Sequence, residues 1–93
     1  MLLTVTKQDQ EESGPYMDAK NCLVSTMLKR AGYKNVNAYG YEVNTLQGNF
    51  NIDGIKVYDL YEDSDDADIS LPLLQKVSKK AIGQKIEFRK KWL

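Results

Sequence analysis

No histidine occurs among the 93 residues, and that absence governs the chemistry within reach. Histidine is the usual general base, triad member and zinc ligand. The single cysteine, Cys22, lacks the partner that ordinarily activates a thiol nucleophile. It falls on the apolar stripe of a helical pattern, where a free cysteine serves as a small core residue, and that is the role expected. Gly48, Gly54 and Gly83 each fit a turn or a helix end, so no glycine-rich phosphate loop is present. The chain reads as a non-enzyme, with no catalytic residue, cofactor or resident metal assigned.

What remains is surface chemistry. The formal net charge is zero, but the charges are segregated. Asp59, Glu62, Asp63, Asp65, Asp66 and Asp68 form an acidic block without bases. Lys76, Lys79, Lys80, Lys85, Arg89, Lys90 and Lys91 form a basic block broken only by Glu87. Clustered carboxylates suit hard cations, with Asp63, Asp65 and Asp68 as ligands. The spacing departs from the EF-hand pattern, lacking glycine at the sixth place and glutamate at the twelfth. The other readings are a solvated loop and a contact surface for a basic protein or a phosphate mimic. On the contact reading Asp63, Asp65, Asp66 and Asp68 are binding residues. The basic block with Trp92 offers phosphate contacts and a base-stacking ring, against the plainer reading of a solvated helix face. Overall neutrality favours the plainer one. Tyr39, Tyr41 and Tyr58 oppose small or apolar neighbours in strand-like segments and are candidates for an exposed aromatic interface, against the equally weighted plainer reading that their rings merely cover a sheet. Lys90, Lys91 and Trp92 complete the candidate partner-binding set.

Those residues need a scaffold. Ninety-three residues make one domain, 1–93, burying roughly 60–65% of the unfolded surface. A composition 42% hydrophobic and 28% charged excludes a disordered chain. One cysteine forms no internal disulfide, which suits a reducing compartment. No stretch reaches about 18 apolar residues, and the start lacks the pattern of a signal peptide. The expected location is the cytoplasm, with no membrane partner.

Residues 2–6 alternate as a strand, and residues 8–16, with Gly14-Pro15, read as a loop. Asp18 is the expected N-cap of a helix over 18–31, with a stripe through Ala19, Cys22, Leu23, Thr26 and Met27. Residues 36–43 form one strand, with Tyr39, Tyr41 and Val43 on one side. Asp53-Gly54 predicts a two-residue hairpin pairing Ile52 with Ile55, Phe50 with Val57 and Leu46 with Tyr61. Asp68 or Ser70 caps a second helix over 71–82, with Leu73, Leu74, Val77 and Ala81 buried. Residues 84–89 form the last strand, with Ile86 and Phe88 on one face. The expected fold is a small α+β domain of order β-α-β-β-β-α-β, two helices packing on one face of a mainly antiparallel sheet.

The segments LLTVTKQDQEESG, NCLVSTMLKRAG and LPLLQKVSKKAIGQKIEFRK together resemble a group of small phage accessory proteins of uncharacterised activity. Those proteins open on a strand ending in a V-T-Q-E-D-like segment, continue with a cysteine-containing helix and close with a Leu-Pro-started helix before a short aromatic strand. Where the group tends to have Cys-Pro, this chain has Cys22-Leu23. The resemblance transfers no catalytic residue. It implies a phage or mobile element acting inside a bacterium, where the host-cell cytoplasm is the location. The function it implies is a protein-binding module that inhibits or modulates a host or defence protein. The alternative is a small nucleic-acid-binding regulator using the basic C-terminal helix and tail.

Overall fold

The computed structural model describes residues 1–53, 57–62 and 76–91. Its sheet is organised around the last strand, β7 (Lys85–Lys91), whose alternation sends Ile86 and Phe88 inward. One flank of β7 pairs with β1 (Leu2–Thr4) and the other with β4 (Gly48–Asp53). Beyond β4 come β3 (Glu42–Thr45) and β2 (Asn37–Tyr39), giving the order β1-β7-β4-β3-β2 with every pair antiparallel. Among the described residues two α-helices complete the scaffold, α1 (Lys7–Glu12) and α2 (Leu23–Arg30), so the protein is an α+β fold with a mainly antiparallel sheet.

Val43, Phe50, Ile52, Ile86 and Phe88 project from the inner sheet face into one cluster with Leu23, Val24, Met27 and Leu28 of α2. Leu23, Met27, Leu28, Ile86 and Phe88 are fully buried, each contributing about 1.5–3 kcal/mol by removal from water. The opposite face is polar, carrying Asn44, Asn49, Asn51, Lys85, Arg89 and Lys91 by the same alternation.

The structure corrects several sequence expectations. Residues 7–12 are helix rather than loop because Thr6 and Asp9 make a reciprocal capping box. Asp9 N–H donates to Thr6 Oγ1 at 3.1 Å and Thr6 N–H to Asp9 Oδ2 at 2.9 Å. The next helix starts at Leu23 rather than after Asp18. The Asp18 carboxylate does accept amide bonds, from Lys20 and Asn21, but it caps an isolated turn. The Ala19 carbonyl is drawn out of helical register, accepting from Ala38 N–H at 2.8 Å and Ser25 Oγ at 2.6 Å.

Residues 36–43 are not one strand. They fold back at Gly40-Tyr41, with Tyr39 opposite Glu42. Gly40 has φ 63, and a positive φ at only the first loop position is the type II′ pattern. Val43 consequently joins Ala38 on the inner side and parts from Tyr41.

The hairpin pairing expected at Asp53-Gly54 does not form. Both flanks of β4 are already taken: Phe50 lies opposite Val43 and Lys90, and Ile52 opposite Phe88. Val57 instead opens a turn of 3-10 helix, Val57–Leu60, and Tyr61 pairs with Val77 in a two-stranded ladder of β5 (Tyr61–Glu62) and β6 (Lys76–Val77). Leu46 is an exposed loop residue. Gly54 and Ile55 lie outside the described residues.

The expected helix over 71–82 does not run through its second half. Val77 is held in the ladder with Tyr61, and its carbonyl accepts from Gln10 Nε2 at 2.9 Å. Ser78 then caps a short 3-10 turn, Lys79–Ala81. Val77 and Ala81 are nevertheless buried, as their apolar character requires. Asp68, Ser70, Leu73 and Leu74 lie outside the described residues. The two described helices are thus α1 and α2, in contact with each other.

Candidate functional site

Tyr61 anchors the candidate site. Its hydroxyl accepts from Leu23 N–H at 2.8 Å and donates to the Gly14 carbonyl at 3.2 Å. It thereby ties the first turn of α2 to the loop that follows α1. Burial pushes the Tyr61 phenol far above its ordinary value, with smaller contributions from Cys22, Tyr16 and Asp18, against the lowering effect of the Leu23 bond.

Tyr16 packs edge-on against Tyr61 at 5.6 Å and against Tyr58 at 5.3 Å between ring centroids. Such edge contacts add about 0.5–1.5 kcal/mol beyond burial. Desolvation raises the Tyr16 phenol, and the neighbouring Tyr41, Cys22 and Tyr58 raise it further. Three tyrosines from three separate segments, a loop, a 3-10 turn and a short strand, are therefore in ring contact, and Tyr41 in the hairpin turn is near enough to bear on the Tyr16 phenol. Tyr61 and Tyr16 form the inner layer, while Tyr41 and Tyr58 are 57% and 53% exposed. Asp59 and Glu62, both exposed, flank this group and lead into the acidic block.

Of the sequence candidates, Tyr58 packs on Tyr16 here, and Tyr41 is near enough to bear on the Tyr16 phenol. Tyr39 is exposed at the end of β2, opposite Glu42. Asp63, Asp65, Asp66, Asp68 and Trp92 lie outside the described residues. Lys90 and Lys91 point to opposite faces of β7. Lys91 Nζ donates to Glu42 Oε1 at 2.7 Å, and the Lys90 stem lies along Gly48, its Cε 3.2 Å from where a β-carbon would stand. The basic block is likewise dispersed, with Lys76 in β6, Lys79 and Lys80 in the 3-10 turn and the remainder on β7.

Sequence reasoning missed Tyr16, the hub of the cluster. It sits in a polar loop after Gly14-Pro15, and only its tertiary contacts mark it. Cys22 is buried in the core with Sγ 3.6 Å from Ser25 Oγ. Among the described residues no group of three or more His, Cys, Asp or Glu side chains is placed to hold a metal ion, and no helix is long and apolar enough to cross a membrane. No family model, curated protein or solved structure matches the chain.

Proposed function

We propose that this chain is a non-enzymatic protein-binding module of the phage type, acting in the host-cell cytoplasm to inhibit or modulate a host or defence protein. It engages a basic partner through Tyr41 and Tyr58 and the acids beside them. One observation carries the reading: the half-exposed Tyr58 packs on the partly buried Tyr16 and Tyr61 pair, with the half-exposed Tyr41 near enough to bear on the Tyr16 phenol, at the point where the acidic segment begins. Tyrosine supplies large contact area at low conformational cost. Tyr16 and Tyr61 hold the layer rigid, which reduces the ordering cost of an encounter. The neighbouring carboxylates steer a basic surface toward the rings. The setting, a phage accessory protein inside a bacterium, comes from the resemblance of the three segments.

The test is capture from bacterial lysate using the full chain and a Tyr41→Ser/Tyr58→Ser variant as parallel baits. The reading expects a lysine- and arginine-rich partner held by the first bait alone. Its yield should fall between about 0.1 M and about 1 M salt, as the screening length drops from ~10 Å to ~3 Å. A partner captured equally by both baits rejects this face. Retention of DNA in a salt-dependent shift assay, with no protein captured, favours the nucleic-acid regulator instead.

A further inference from the structure

The loop before α2, the last turn of α2 and the approach to β2 line an open pocket of about 390 Å³. Its lining is Lys20, Asn21, Lys29, Asn35, Val36 and Asn37. We propose that this pocket binds a phosphate group. The inference is independent of the tyrosine face, sharing no residue with it.

The chemistry of the lining selects the ligand. Small-molecule pockets of this size are ordinarily mostly apolar, yet here Val36 is the lone apolar residue, and it is buried. The others offer two ammonium groups and three carboxamides; no carboxylate is in the lining itself, though the Asp18 carboxylate engages Asn21 Nδ2, leaving Asn35 and Asn37 as the amide donors. Among the described residues neither Lys20 nor Lys29 has a carboxylate partner. Two like charges around one concavity repel unless an anion lies between them. Lysine binds phosphate as a point charge, and amide N–H groups supply the neutral donors that phosphate oxygens accept.

The donors are also oriented. Asn21 Nδ2 donates to Asp18 Oδ2 at 3.2 Å, which turns its Oδ1 to accept from Lys29 Nζ at 3.0 Å. That bond steadies the ammonium while leaving it two further hydrogens. Asn37 Nδ2 donates to the Asn35 carbonyl at 3.3 Å, using one of its two amide hydrogens. Asn35 itself is held at φ 54, a left-handed conformation that asparagine adopts more readily than other non-glycine residues.

The experiment is an amide NMR titration of the full chain with inorganic phosphate, ionic strength being held constant with chloride. Saturable shifts confined to residues 20–21 and 35–37, with a dissociation constant on the order of 1 mM, are expected. A Lys20→Gln/Lys29→Gln variant should weaken binding at least about tenfold. Both side chains are exposed, so the variant should fold; Lys20→Gln alone, with a loss of about threefold or more, serves if it does not. A linear drift identical to that in chloride overturns the proposal, as does saturable binding unchanged in the variants. A short single-stranded oligonucleotide titrated in parallel separates the sources of the phosphate. Binding at the same residues at least about tenfold tighter than inorganic phosphate supports the site as a seat for a nucleic-acid backbone. Binding there no tighter supports it as a seat for a free phosphorylated small molecule.

Discussion

Arg30 grips Asp9 through two parallel hydrogen bonds, Nε to Oδ1 at 2.8 Å and Nη2 to Oδ2 at 2.9 Å. The carboxylate it holds is fully buried. Nη2 also reaches the Thr4 carbonyl at 3.2 Å, so one guanidinium joins α1, α2 and the edge strand β1. With both Thr6 bonds, the Asp9 side chain is satisfied despite its burial, which is the condition for tolerating a buried charge.

Breaking that pair should therefore be costly. Arg30→Met leaves Asp9 buried without its cation and should destabilise the fold by about 3 kcal/mol, the lower end for a broken buried pair, since Arg30 stays partly exposed. Arg30→Lys should recover only part of this, because an ammonium cannot make the paired contact. Urea unfolding midpoints of the three proteins give the comparison.

The same pair sets the acid limb of stability. Burial alone raises the Asp9 carboxyl, but the bonds from Arg30 and Thr6 outweigh it and bring the value below 3.8. The unfolded chain then takes up the proton first. The contribution is whole above about pH 4 and is lost as pH falls through the lowered folded value. Asp9→Asn should be less stable than the natural chain at neutral pH, and the gap should narrow in strong acid. A gap independent of pH would show that the carboxylate is not held in its charged form.

Tyr61 makes the opposite prediction at the alkaline end. Its phenol is raised from 10.0, so folding disfavours ionisation. Its stabilising effect is complete below about pH 10 and is lost as pH rises toward the elevated folded value. Tyr61→Phe should cost about 1–2 kcal/mol at neutral pH, since the Leu23 amide and Gly14 carbonyl lose their shared partner. The variant should also unfold less steeply in base, as followed by circular dichroism across alkaline pH.

At Gly40 the space is open, with nothing within 4 Å of where a β-carbon would stand, yet φ is 63. Gly40→Ala should consequently destabilise by about 1–2 kcal/mol through backbone strain alone. A thermal melt unchanged by the substitution would mean that the hairpin turn relaxes to another type.

How far the sequence can be read follows from what alternation encodes. Ile86 and Phe88, and likewise Phe50 and Ile52, are assignable to a buried face because a period of two reports which side a residue takes. It does not report the neighbour. Phe50 fits Val57 as well as it fits Val43 on that criterion, so a local hairpin at Asp53-Gly54 is the economical expectation, and the distant β7 takes the flank instead. Capping at Thr6 and Asp9 is legible in spacing but shortened by one carbon from the usual glutamate. Tyr41 and Tyr58 are recognisable as surface tyrosines. The packing of Tyr58 on Tyr16, with Tyr41 near enough to bear on the same phenol, depends on how remote segments pack, and no local pattern carries that.

Site-specific photocrosslinking in bacterial cells tests most directly whether Tyr41 and Tyr58 form the proposed partner-binding face. A photoreactive residue would replace Tyr41 or Tyr58 in turn, with Lys85, on the polar sheet face, as the control. One adduct of the same discrete mass is expected from positions 41 and 58 and none from position 85. An adduct from position 85 with none from 41 or 58 would contradict it.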